Sequence, residues 1–146
     1  IIKEKKIEKL FLESHWAYKN RIQEMRDYFE IPITFKIGVE TFDYDFRNGY
    51  LNKNAKFKTV EELKEYFDSP CIMVGIKGQT REMIDRDMDI VLNNFDHATI
   101  NVFVNNTSSV KRDEELVNWF SNKYKHLVDN PKIEILFNNT DFGVGD

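Results

Sequence analysis

The sequence predicts an α/β fold of alternating strand–helix units around a mainly parallel five-stranded sheet. Three observations carry this reading. Short apolar runs alternate with stretches in which apolar residues recur at helical spacing. One run, Cys71-Ile72-Met73-Val74-Gly75-Ile76, is continuously apolar, as in a strand covered on both faces. Polar residues follow the carboxyl end of the runs, where open parallel sheets and β/α barrels place their ligands. Such alternation implies right-handed crossovers, so the five strands form either a small open sheet or one arc of a β/α barrel.

The first strand is predicted over Ile7 to Leu12, followed by Glu13-Ser14-His15 with Ser14 available as a helix cap. Tyr18, Ile22, Met25 and Phe29 mark one face of the first helix, and Pro32 ends it. Ile33-Thr34-Phe35-Lys36-Ile37-Gly38-Val39 forms the second strand and breaks into Glu40-Thr41. Tyr44 to Lys58 is polar and aromatic and reads as a loop. Thr59-Val60-Glu61-Glu62 is a capping box for a helix that buries Val60, Leu63 and Phe67. The third strand, Cys71 to Ile76, runs into Lys77-Gly78-Gln79-Thr80, where Gly78 permits a bend and Thr80 caps the next helix. Ile84, Met88, Val91, Leu92 and Phe95 stripe that helix. Ala98 to Val104 is the fourth strand; Leu116, Phe120, Tyr124 and Leu127 mark another helix; and Ile133 to Phe137, after Pro131, closes the series.

Composition bounds the function. The 146 residues are 41% hydrophobic and 32% charged with a net charge of −4, which suits one folded domain with a sizeable core. No stretch clusters Lys and Arg among aromatics, which disfavours a groove that tracks phosphates. No apolar run approaches the about 18 residues of a membrane span. A single cysteine, Cys71, excludes an internal disulfide and points to a reducing, cytoplasmic setting. The chain opens without Met and stops after Asp146 with no closing helix, from which we expect a piece of a longer protein.

Glu13, His15, Glu40, Thr41, Lys77, Gln79, Asn105, Asn106, Asn138, Asn139 and Asp141 collect at the predicted carboxyl rim. His15, His97 and His126 show no zinc spacing, and a lone thiol at a strand's start reads as structural. No metal ligand set is therefore expected. Gly75 to Thr80 lacks the terminal Gly-Lys-Ser/Thr of a Walker loop and is by itself a strand-to-helix turn. On its own, Glu40 is either a solvated rim carboxylate or a ligand.

Two segments resemble a known family. Lys36-Ile37-Gly38-Val39-Glu40-Thr41-Phe42-Asp43, followed by Arg47 and Leu51-Asn52-Lys53, is similar to the fourth strand and following loop of radical SAM (S-adenosylmethionine) domains. Val74-Gly75-Ile76-Lys77-Gly78-Gln79-Thr80 resembles their fifth strand and Gly-x-x-Gly-Gln-Thr turn, as in relatives of oxygen-independent coproporphyrinogen oxidase. The resemblance covers most of the chain and implies the second half of a partial TIM-type barrel. It implies S-adenosylmethionine and a 4Fe-4S cluster as cofactors of the parent protein, and a 5′-deoxyadenosyl radical that takes hydrogen from an unknown small-molecule substrate.

It further implies a cofactor-binding set of Glu40, Thr41, Arg47, Gly75 and Ile76. Glu40 would accept from the ribose hydroxyls, Arg47 (or Lys53) would hold the methionyl carboxylate, and Gly75 and Ile76 would lie near adenine. The family's Cys-x-x-x-Cys-x-x-Cys is missing, and a cluster needs thiolates. This chain alone is therefore expected to bind no cluster and to be inactive. The competing function is a non-catalytic flavodoxin-like module that binds a small ligand or a protein; a mid-sheet reversal of strand order would reveal it. Exposed sheet edges would also allow the chain to dimerise.

Overall fold

Strands Leu10–Glu13 (β1), Ile33–Glu40 (β2), Ser69–Val74 (β3), Ala98–Val102 (β4) and Ile133–Leu136 (β5) form one sheet in the order β1-β2-β3-β4-β5, each neighbouring pair parallel. The computed structural model from which this is read describes residues 4–138. Consecutive order without reversal is that of a barrel arc, and the sheet curls as a half barrel. This order removes the flavodoxin-like alternative, which requires a switch point.

Helices lie on the convex side: Ile22–Phe29 (α1), Val60–Lys64 (α2), Arg81–Asn94 (α3) and Glu114–Tyr124 (α4). Strand alternation explains the core. Phe35, Ile37 and Val39 of β2, Ile72 and Val74 of β3, and Ile100 and Val102 of β4 are buried together with Ile84, Met88 and Val91 of α3 and Val117 and Phe120 of α4. The opposite set of strand residues, Lys36, Gly38, Glu40, Cys71, Met73, Thr99, Asn101 and Glu134, lines the concave side. Among the described residues no helix is long and apolar enough to cross a membrane.

Several boundaries differ from the sequence reading. β1 begins at Leu10, three residues later than expected, and includes Glu13. His15, not Ser14, caps the first helical turn: its Nδ1 accepts from the Ala17 amide at 3.1 Å. That turn, Trp16–Arg21, is a 3₁₀ segment leading into α1. It buries Trp16 against Phe57, Tyr66 and Phe67 and leaves Tyr18 exposed. β3 starts two residues early, at Ser69, and stops at Val74, where Gly75 at φ +88° ends it. β4 stops at Val102, and Leu127 sits on a 3₁₀ turn, Lys125–Asp129, beyond α4. The capping residues Thr59 and Thr80 accept from Glu62 and Met83 as predicted. The rim residues Asn139 and Asp141 lie outside the described residues.

Candidate functional site on the concave face

Glu40 ends β2 in the left-handed region, at φ +65°, beside a break in the β2–β3 register between Gly38 and Glu40. A non-glycine residue held there costs on the order of 1–3 kcal/mol and points to a functional constraint. Its side chain stands in the concavity, on the same face as Lys36 and Gly38. There Glu40 Oε1 accepts from Lys53 Nζ at 2.6 Å, and both groups are largely shielded from solvent. Gly38 makes the pairing possible: a Cβ at that position would lie 2.9 Å from Lys53 Nζ and 3.3 Å from Glu40 Oε1.

Lys53 reaches this position because the loop after β2 is tied down from beneath. Arg47, on a helical turn spanning Phe46–Tyr50, is 1% exposed. It donates through Nε to Ala55 O (2.9 Å), through Nη1 to Thr41 O (2.9 Å) and through Nη2 to Phe57 O (2.6 Å), and it stacks on Phe57. Burial pulls the guanidinium down to about 10, so it stays charged at neutral pH. Asn48 clasps Ala55 through both amide atoms, and the Lys53 amide donates to Arg47 O. Asn52 and Asn54, both left-handed, flank Lys53, and its carbonyl oxygen lies 3.0 Å from His15 Nε2.

This geometry bears on two expectations. Arg47 is buried and its three nitrogens serve three backbone carbonyls in the interior. Thr41 is fully buried on the convex side. Its Oγ1 accepts from the Asp43 amide, and its hydroxyl bonds Asp87 of α3. Asp87 Oδ1 also accepts from the Phe42 amide, and burial pushes the carboxyl up to about 6. Lys53, the alternative cation, is the one that faces the concavity.

Gly75 and Ile76 stand where the rim turn leaves β3. At Gly75 a Cβ would meet Val117 Cγ2 at 2.2 Å, so the missing side chain makes room for α4. Gln79, placed at the rim by sequence, turns back onto the backbone of its own turn. Its Oε1 accepts from the Ile76 amide and its Nε2 donates to Met73 O, closing the turn as a side-chain clasp. Ile76 itself lines a small apolar cavity at the rim with Leu51, Met73, Phe103 and Val110, and Glu40 and Lys53 stand at its border.

Below it, sharing Glu40, Lys53 and Met73, lies a second, polar cavity of about 240 Å³. Lys36 of β2 and Glu134 of β5 meet here at 3.7 Å across the two intervening strands. Thr99 donates to Glu134 Oε2 at 3.1 Å. Glu13, Cys71 and Asn101 complete the walls, and burial pushes the Cys71 thiol up to about 11, so it stays protonated. Sequence reasoning passed over Lys36, Thr99, Asn101 and Glu134, although each is a polar residue at period two within an otherwise apolar strand.

The implied cofactors fit unequally. An apolar slot bordered by a carboxylate suits a nucleoside, whose base packs and whose ribose hydroxyls donate. An iron–sulfur cluster does not fit. The sequence has one cysteine, its thiol is protonated, and no three His, Cys, Asp or Glu among the described residues are placed to hold a metal.

No family model matches the chain, and no curated protein matches it either. A solved structure of queuine lyase from Clostridium spiroforme bound to SAM and queuine does, at 52% identity over 100% of this chain with a TM-score of 0.95. The chain spans 64% of the length of that protein. With five parallel strands in barrel order, the paired segments at β2 and β3, and this likeness, the chain belongs to the radical SAM superfamily.

Proposed function

We propose that this chain forms the substrate- and nucleoside-facing part of a radical SAM lyase acting on queuine or a close relative. The likeness to queuine lyase over the whole chain carries the reading, and the two adjoining cavities support it. Glu40 and Ile76 border the nucleoside of S-adenosylmethionine in the apolar compartment, and Lys53 positions Glu40 and offers a cation for the methionyl carboxylate. Arg47, Thr41 and Gly75 act behind them by fixing the loops. The cofactor, when bound, supplies the hydrogen-abstracting chemistry; these residues bind, orient and exclude water. The thiolates for the cluster come from outside this sequence, on a longer polypeptide in a reducing, cytoplasmic setting, and the rest of the barrel covers the free edges of β1 and β5.

The test is anaerobic incubation of the complete, cluster-loaded polypeptide with S-adenosylmethionine, a reductant and queuine, followed by mass spectrometry. We expect 5′-deoxyadenosine to form together with loss of queuine. Formation of 5′-deoxyadenosine with queuine left intact would sink the substrate assignment and leave the family untouched.

A further inference from the structure

The polar cavity has a floor that its fold does not require. Lys36 and Glu134 belong to strands that are not neighbours, and they meet over the concave surface instead of along a ladder. At 3.7 Å the contact is longer than the roughly 2.7–2.9 Å of a charge-assisted hydrogen bond. Thr99 fixes Glu134 through Oε2, and no described hydrogen bond engages Oε1. The Glu134 side chain keeps 45% of its surface open and that of Lys36 keeps 23%, on the side lined by the cavity. An ammonium beside a carboxylate, both still able to bond, is a donor next to an acceptor.

Resting on the lyase reading above, we propose that the Lys36–Glu134 pair selects the base of a 7-deazaguanine substrate. Queuine is such a base, with a carbonyl oxygen, a ring N–H and an exocyclic amine in sequence along one edge. Glu134 accepts from the ring N–H and the amine, and Lys36 donates to the carbonyl oxygen; both contacts are charge-assisted. An adenine-type edge presents an amine where Lys36 needs an acceptor and a bare ring nitrogen where Glu134 needs a donor. It is turned away by two unpaired charges. Thr99 is a positioning residue that holds Glu134 in this orientation.

The experiment is calorimetric titration of the complete polypeptide, wild type and Glu134→Gln, with queuine, with an analogue lacking the exocyclic amine, and with S-adenosylmethionine. Removing the amine from the ligand and replacing Glu134 should each weaken binding roughly 10- to 100-fold. Combined, they should weaken it little more than Glu134→Gln alone, since the substitution already deletes the contact to the amine. Affinity for S-adenosylmethionine should stay within about twofold, which shows that the variant is folded. Glu134→Gln binding queuine as the wild type does, or amine and carboxylate effects that multiply, would overturn the proposal alone. A wild type that binds S-adenosylmethionine but not queuine would overturn the lyase reading and this proposal with it.

Discussion

Arg47 is a cation in the convex interior whose partners are carbonyl oxygens, not carboxylates. Satisfying three such oxygens with one rigid guanidinium is a task that lysine cannot copy, because an ammonium reaches fewer of them at once. Arg47→Lys should therefore destabilise the fold by on the order of 2–4 kcal/mol in urea unfolding, while the folded protein keeps its affinity for S-adenosylmethionine. A stable variant that had lost that affinity would return Arg47 to the cofactor. Asp87 is the opposite kind of buried charge. With its carboxyl raised to about 6 against an ordinary 3.8, it favours the fold most when protonated. That contribution is complete below about pH 4 and is lost as pH rises through about 6. Asp87→Asn should gain on the wild type by on the order of 2–3 kcal/mol between pH 4 and pH 7, read from urea midpoints at both. Parallel pH profiles would contradict this.

Among the elements, the start of α4 depends on the end of β3. The Asp113 amide donates to Gly75 O, Asp113 caps the helix at Leu116, and Val117 fills the space that a side chain on Gly75 would take. Gly75→Ala meets two separate obstacles, a backbone at φ +88° and a methyl group at 2.2 Å. Thermal or urea denaturation should show a loss of about 2–4 kcal/mol. Adding Val117→Ala should relieve the clash yet leave the left-handed strain of roughly 1–2 kcal/mol. Full recovery in the double variant would show that the strain term is negligible. What was legible in sequence follows the same division. The helix caps and apolar stripes are local signals, so Thr59, Thr80 and the α3 stripe were readable. His15 as a cap and Trp16 in the core were not, because a 3₁₀ turn shifts the helical spacing before α1 begins.

For the whole molecule, strand alternation was enough to predict a parallel sheet, and the family resemblance selected the barrel over the open sheet. The rim residues divided according to the face they stand on. Glu40 and Ile76 reach the concave side, whereas Thr41 and Arg47 point into the helix layer. That outcome follows the odd–even rule of β2, which carries through the Gly38–Glu40 register break: Lys36, Gly38 and Glu40 share the concave face, and Val39 and Thr41 are buried on the other. The polar floor was present in the sequence as single charges inside apolar strands, but its pairing was not. Lys36 and Glu134 are far apart along the chain, and only the curl of the sheet makes them partners.

The strand order also dictates how the arc is assembled. Each ladder joins a strand to the next one in the chain, so every pairing closes a single strand–helix–strand loop and none waits for a distant segment. Folding can therefore grow from any unit and spread to either side, in the manner of a repeat array. The contact between Lys36 and Glu134 is of another kind. It spans three ladders and forms only when β2, β3, β4 and β5 are all in register, which makes it a late event and a marker of the finished curve.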